Sequence, residues 1–442
     1  MTDLLAARSQ MAMSLGFHIV FAALGIAMPV MIALAEGRWM WRSDEVSLAL
    51  AKRWSKGMAV LFAVGAVSGT VLSFELGLLW PSFMEQSGPS IGPLFALEGF
   101  AFFTEAIFLG IYLYGWHRIT ARTHFLAGLI VAASGIASAW FVVTANAWMN
   151  APTGLTFAEG RITDVRPLEA FLHPFAWHET VHMLLAAFAA TGFLVAGIHA
   201  WLLLYRPDSL FHRRALVISL AVGGLPALLQ PLSGDLIAKA VAAHQPAKFA
   251  AMESLFKTEA GADFVLGGWP DVEREIIPYA VTIPNGLSLL LYGNPRAEVA
   301  GLDRIPRADW PPVAVVHAAF QLMVGSGLVM VCLALWSGWR WWRNRLFEDR
   351  VLLRALVAAA PLGFLAMEAG WVVTEVGRQP WIVQGVLRTS EAVTPMPGLW
   401  IPMATFSLLY VILGGIVVWA LYRHIAATAV IAGPFVGDRK AA

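Results

Sequence analysis

One cysteine, Cys332, stands among the 442 residues, and it lies inside an apolar run. Disulfides, thiolate zinc sites, iron–sulfur clusters and CxxCH haem attachment are thereby excluded. Any bound metal must depend on His, Met, Asp or Glu. Charge is scarce as well. Only 13% of residues are charged, and 30 basic against 29 acidic side chains leave a net charge of +1, which presents no basic surface to nucleic acid. No internal repeat or low-complexity tract stands out.

Hydrophobic residues are abundant instead, at 58% of the chain, with 19 Trp and 24 Pro that suit interfacial anchors and interrupted membrane helices. Apolar runs of about 20 residues or more, enough to cross a bilayer, fall near 12–36, 55–79, 94–116, 124–147, 173–204, 214–232, 312–337, 351–376 and 400–424. The chain thus reads as an all-α integral membrane protein of about nine transmembrane helices, with one long extracytoplasmic loop. Residues 1–233 hold six helices, 234–311 the loop, and 312–442 three helices and a cytoplasmic tail. The first run is too long for a signal-peptide core and lacks a cleavage pattern, so it is expected to be retained.

Lys and Arg set the orientation. Arg38, Arg42, Lys52, Arg53 and Lys56 follow the first run, and Arg118, Arg122, Arg206, Arg213, Arg214, Arg340 and Arg343 follow the third, fifth and seventh. Residues 80–93 contain neither Lys nor Arg. The N-terminus is therefore expected outside and the C-terminus inside. Within the long loop, Ala247–Glu259 reads as an amphipathic helix with Phe249, Met252 and Phe256 on one stripe. Such a helix is either an ordinary surface helix or a lid over an amphipathic ligand.

Ionisable residues interrupt the apolar runs. His18 is in the first, Glu98 and Glu105 in the third, His178 and His182 in the fifth, His317, Gln321 and Met323 in the seventh, Glu368 and Glu375 in the eighth. Each pair of glutamates is seven residues apart and shares a helix face. Left unpaired, four intramembrane acids would cost on the order of 10 kcal/mol. Glu375 at a plain helix end would meet Arg378 and water. On the expected topology, however, His18, Glu98, Glu105, His182, Met323 and Glu375 all fall in the outer half of the membrane. That clustering suggests a shared polar or metal-bearing site. His with Met is an axial pair of low-spin haem iron, and a His or carboxylate alone leaves a position open. His178-Glu179-Thr180-Val181-His182 also fits HExxH, the zinc metalloprotease pattern, although Asp235 and Asp303 are poor third ligands. A haem-free transporter using membrane glutamates is a further alternative.

Four stretches together carry a resemblance. They are GRQPW at 377–381, LEGFAFFTEA at 97–106, ANAWMNAP at 145–152, and the Lys248–Glu253 segment. Across essentially the whole chain the sequence resembles subunit I of cytochrome bd quinol oxidases, in the short-Q-loop branch. The resemblance implies an inner-membrane respiratory enzyme that oxidises ubiquinol or menaquinol and reduces O2. It also implies a subunit II and a small single-helix subunit in the lipid bilayer. Implied cofactors are a low-spin haem b (b558), a high-spin haem b (b595) and haem d, or haem b in its place. By the same resemblance His182 and Met323 would ligate the low-spin iron, and His18 and Glu375 the high-spin irons. Glu98 and Glu105 would carry protons or balance charge. Arg8 and Arg378 would neutralise propionates or nearby acids, and Lys248 and Glu253 would bind quinol. The HExxH match would then be accidental.

One position departs from the family pattern. Gln321 stands where relatives commonly place Arg, two residues before the methionine ligand. A neutral side chain there favours oxidised iron. Gln321→Arg should therefore raise the low-spin midpoint in a redox titration; an unchanged or lowered midpoint would refute this.

Overall fold

The computed structural model describes residues 2–158 and 161–431. Among them nine helical spans are long and apolar enough to cross a membrane. They are α1 (Asp3–Arg42), α2 (Glu45–Leu79), α3 (Pro81–Gly115), α4 (Ala121–Asn150), α5 (Pro174–Tyr205) and α6 (Leu210–His244). After a short loop helix, α7 (Pro246–Glu253), come α8 (Val313–Trp342), the paired α9 (Arg350–Ala359) and α10 (Leu362–Gly377), and α11 (Trp400–Ile431). Helices are required here because lipid satisfies no backbone hydrogen bond. Side chains of Thr2, Asp44, Thr120, Ser209 and Asp349 accept from the first free amides of α1, α2, α4, α6 and α9. Every described sheet has only two strands. The all-α membrane class is therefore correct.

The boundaries differ from the sequence reading in three places. Helix α6 does not stop near Gly234 but runs to His244, with Lys239 and Asp235 paired one turn apart at 2.7 Å on the extension. Helix α7 ends at Glu253, where Ser254 turns left-handed, instead of continuing to residue 259. It is not an ordinary surface helix, since all six residues from Lys248 to Glu253 are buried. The eighth span is broken between Ala359 and Leu362, where Pro361 removes a backbone donor. The tail at 432–442 lies outside the described residues.

Consecutive spans alternate in direction, so one end of the bundle carries the long loop together with residues 378–399. Asp3 of α1 fastens the end of the second segment, accepting from the amides of Gly398 and Leu399 at 3.0 and 2.9 Å. The basic residues of the short connections gather at the far end. There Asp44 pairs with Arg38 at 2.8 Å and Arg214 at 3.1 Å.

Glycines let the spans approach closely, as small residues do in membranes. A Cβ on Gly192 of α5 would sit 2.3 Å from the Gly223 Cα of α6, and one on Gly363 of α10 would sit 2.3 Å from the Ala190 Cα of α5. These are backbone atoms that cannot swing away. Gly192→Val should cost at least about 2 kcal/mol of stability through overpacking. The measurement is the thermal midpoint in detergent, and an unchanged midpoint would mean that the α5–α6 crossing is looser than described.

Candidate functional site

The loop end of the bundle holds a connected polar network centred on Asn150, the last residue of α4. Its Oδ1 accepts from Lys248 Nζ at 2.8 Å, Arg378 Nη1 at 3.2 Å and Gln245 Nε2 at 3.2 Å. Its Nδ2 donates to Asn146 Oδ1 at 2.9 Å and to Glu179 Oε2 at 3.3 Å. Asn146 in turn donates to Glu375 Oε1 at 2.6 Å, and Arg378 pairs with Glu375 Oε2 at 2.5 Å. Glu375 and Arg378 do meet, as a bare helix end would require. Yet Arg378 is only 2% exposed, so water is not its main partner. A buried guanidinium persists only when paired, and its Nε has no partner among the described residues.

Below this network the other sequence-predicted residues point inward from several helices. His182 on α5 faces α6, with Nδ1 2.9 Å from Ser233 Oγ and Nε2 3.1 Å from Gln230 Nε2. Met323 on α8 faces α10, where a Cβ on Gly370 would lie 3.0 Å from its sulfur. His18 on α1 faces α2, with Nδ1 3.0 Å from Ser68 Oγ, and a Cβ on Gly69 would lie 2.9 Å from its ring. Glu368 Oε2 lies beside Gly16, while its Oε1 is buried without a partner among the described residues. Arg8 is half-buried and forms no ion pair among the described residues.

Glu98 and Glu105 both face α4. Ser138 Oγ donates to Glu98 Oε1 at 2.9 Å, and Glu105 lies against Gly135. Gly135 is the midpoint of α4, so Glu105 sits at mid-depth and not in the loop-end half.

Three polar groups escaped the sequence reading. Glu75 of α2 is buried and accepts from Gln10 at 2.8 Å and Ser14 at 3.0 Å. At the far end, Tyr112 donates to Glu36 Oε2 at 2.7 Å, and His124 Nδ1 lies 2.7 Å from Glu36 Oε1. His199 and His212 face each other with Nδ1 atoms 3.0 Å apart. Tyr112 follows Glu105 by seven residues, the spacing that separates Glu98 from Glu105. That repeat was the available signal.

On the loop, Lys248 and Glu253 sit on one short helix but differ in surroundings. Lys248 is turned inward against Gly377 and into the Asn150 network. Burial, with Arg378 beside it, holds its ammonium below the ordinary lysine range. Glu253 is 4% exposed, its Oε2 has no partner among the described residues, and burial pushes its carboxyl up to about 8.

The HExxH pattern does not form a metal centre. Glu179 turns to Asn150 and His182 to α6, and no group of three or more His, Cys, Asp or Glu is arranged for a metal among the described residues.

Comparison with known proteins agrees along the whole length. A family model described as cytochrome bd terminal oxidase subunit I matches residues 6–429. A Bacillus subtilis (strain 168) protein, provisionally named a cytochrome bd menaquinol oxidase subunit I, is 36% identical over 435 residues, covering 96% of this chain and 97% of that protein. The cytochrome bd ubiquinol oxidase subunit 1 of the same organism is 32% identical over 440 residues, with 96% and 94% covered. The structure of bd oxidase from Geobacillus thermodenitrificans matches with a TM-score of 0.90 and 35% identity, over 96% of this chain and 99% of that one.

The Glu253 environment generates a pH dependence. The folded carboxyl keeps its proton up to about 8, whereas the ordinary value is 4.5. Between these values the folded state binds more protons than the unfolded chain, so this group's contribution to stability falls as pH rises through that window. Glu253→Gln should remove the loss. Thermal midpoints at pH 5 and pH 8.5 (roughly the two sides of the window) test it; parallel behaviour of parent and variant would refute it.

Proposed function

This chain belongs to the family of cytochrome bd terminal oxidase subunit I, and from that premise we propose that it oxidises quinol at its long loop and reduces O2 to water at a di-haem site. The family acts on quinol, carries haem and pairs with a second subunit. Neither the protease nor the haem-free transporter reading has support.

The donor set fits haem. His182 and Met323 would hold the low-spin haem b, and His18 and Glu375 the two high-spin haems. The glycines opposite Met323 and His18 keep space that a Cβ would fill. The buried, unpartnered Nε of Arg378 suits a propionate, as does the cationic head of Arg8. When bound, the haems supply the electron path and the site of O2 reduction. The observation that carries this reading is the Asn150 network, because it joins the loop lysine to the carboxylate expected on a high-spin iron.

The chain's own residues handle protons and position. Glu253, holding a proton in a dry site, donates a hydrogen bond to a bound quinol oxygen and must first lose its own proton to accept one. Lys248 acts through Asn150 and not as an exposed contact. With the N-terminus outside, which the basic far end supports, quinol protons leave on the loop side. Protons for water come from inside along one stripe of α3: Tyr112 with Glu36 and His124, then Glu105, then Glu98 with Ser138. Charge thus crosses without a pump and stores about 2.3 kcal/mol per charge per 100 mV. We place the protein in the bacterial cytoplasmic membrane with subunit II and a small single-helix subunit.

A reduced-minus-oxidised spectrum with pyridine extraction tests the cofactors. Haem b with a chlorin-type haem d is expected; a colourless preparation that has lost nothing would overturn the reading. Glu105→Gln should slow oxygen consumption while the low-spin haem still reduces at the parental rate. Unchanged oxygen consumption would remove Glu105 from the proton route.

A further inference from the structure

Two side chains one turn apart on α8 grip the long loop at separate points. His317 is fully buried. Its Nδ1 lies 2.8 Å from the carbonyl oxygen of Met252, and its Nε2 lies 3.0 Å from that of Gly267. Met252 is in the last turn of α7, where helix carbonyls lack intrahelical partners. Gln321 takes the next turn. Its Nε2 donates to the Val265 carbonyl at 3.0 Å, and its Oε1 accepts from the Gly267 amide at 3.1 Å.

Val265 and Gly267 belong to β1 (Phe264–Gly267), which pairs on its other side with β2 (Ala280–Ile283). A strand edge presents unpaired amides and carbonyls on alternate residues. Gln321 meets them as a neighbouring strand would, donating to one residue and accepting two residues on. Gly267 and Gly268 are both left-handed, at φ +66 and +81, so the strand turns immediately after this contact. The hairpin edge and the end of α7 are thereby fixed to one helix. That helix carries Met323 two residues beyond Gln321.

We propose that His317 and Gln321 are positioning residues for quinol oxidation. They hold the helix bearing Glu253, and the hairpin beside it, at a fixed place over the segment bearing Met323. The inference builds on quinol binding at the loop. Neither residue touches the reacting atoms; each acts through the backbone it holds. A bound quinol then meets Glu253 at a set distance from the first electron acceptor. Without the grip the loop still folds on its own ribbons but samples more positions, which weakens quinol binding more than turnover.

The test uses the complete oxidase in lipid nanodiscs with Gln321→Met, which keeps the size and loses the amide, and His317→Asn as a second variant. For Gln321→Met the KM for a short-chain quinol should rise about tenfold, the loss expected when two neutral hydrogen bonds go, and His317→Asn should raise it in the same direction. The kcat should stay within about twofold, a change below 0.5 kcal/mol, and the low-spin haem spectrum should be unchanged. A readout independent of turnover is limited trypsin cleavage after Arg274, exposed on the loop between β1 and β2, which should speed up in both variants. An unchanged KM with unchanged cleavage overturns the proposal. So does a fall in kcat that tracks loss of the low-spin band, which would make the pair a support for the haem alone. Glu253→Ala, which removes the hydrogen-bond donor that a Gln would keep, separates the two readings when run alongside. If it raises KM and the α8 variants do not, only the positioning role fails; if it leaves KM unchanged, quinol binding at the loop fails and the positioning role with it.

Discussion

The loop end of this protein depends on one constraint: charges placed near the membrane must each find a partner. Asn150 meets that constraint. A side-chain amide is the only neutral group that both donates and accepts in a fixed fork. Here it accepts from Lys248, Arg378 and Gln245 and donates toward Asn146 and Glu179. It thus joins the ends of α4 and α10 to α5 and to the α6–α7 junction. A carboxylate in its place would trap charge, and an apolar residue would orphan three donors. Networks of this kind are strong when complete and costly when broken. Glu375 stays ordered at the end of α10 because Asn146 and Arg378 hold one oxygen each.

Close helix crossings are the second requirement. Gly192 against Gly223 and Gly363 against Ala190 bring α5, α6 and α10 together at backbone distance. Three of the four prospective iron ligands have a glycine on the facing helix: Gly69 for His18, Gly234 for His182 and Gly370 for Met323. Packing and site chemistry therefore use the same small residues. The helix order places His18, His182, Met323 and Glu375 on the loop side of the bundle and the basic connections on the other. That asymmetry suits chemistry that must take electrons from one face and protons from the other.

Much of this was legible from composition. Lipid permits few backbone solutions, so a 58% hydrophobic chain with one cysteine and nine long apolar runs had to be a helical bundle. Charged residues in those runs are rare and costly, which is why His18, Glu98, Glu105, Glu368 and Glu375 stood out. Glu36, Tyr112 and His124 did not, because they lie near helix ends where polar residues are ordinary. Their significance comes from meeting across α1, α3 and α4. The loop helix was recognised but drawn six residues too long at its C-terminal end. Phe249, Met252 and Phe256 do share one buried cluster, yet Phe256 lies past the helix end, and Lys248 and Glu253 are buried as well, because three neighbouring helices pack against this one.

The sequence by itself determined the number of spans, through hydropathy, and the family, through a few short motifs, since both are local properties of the chain. Only the tertiary structure decided that Lys248 turns inward to Asn150, that Glu105 sits at mid-depth, and that Gln321 grips a strand edge. Those facts join residues thirty or more positions apart, and no local pattern records which distant backbone a side chain will meet.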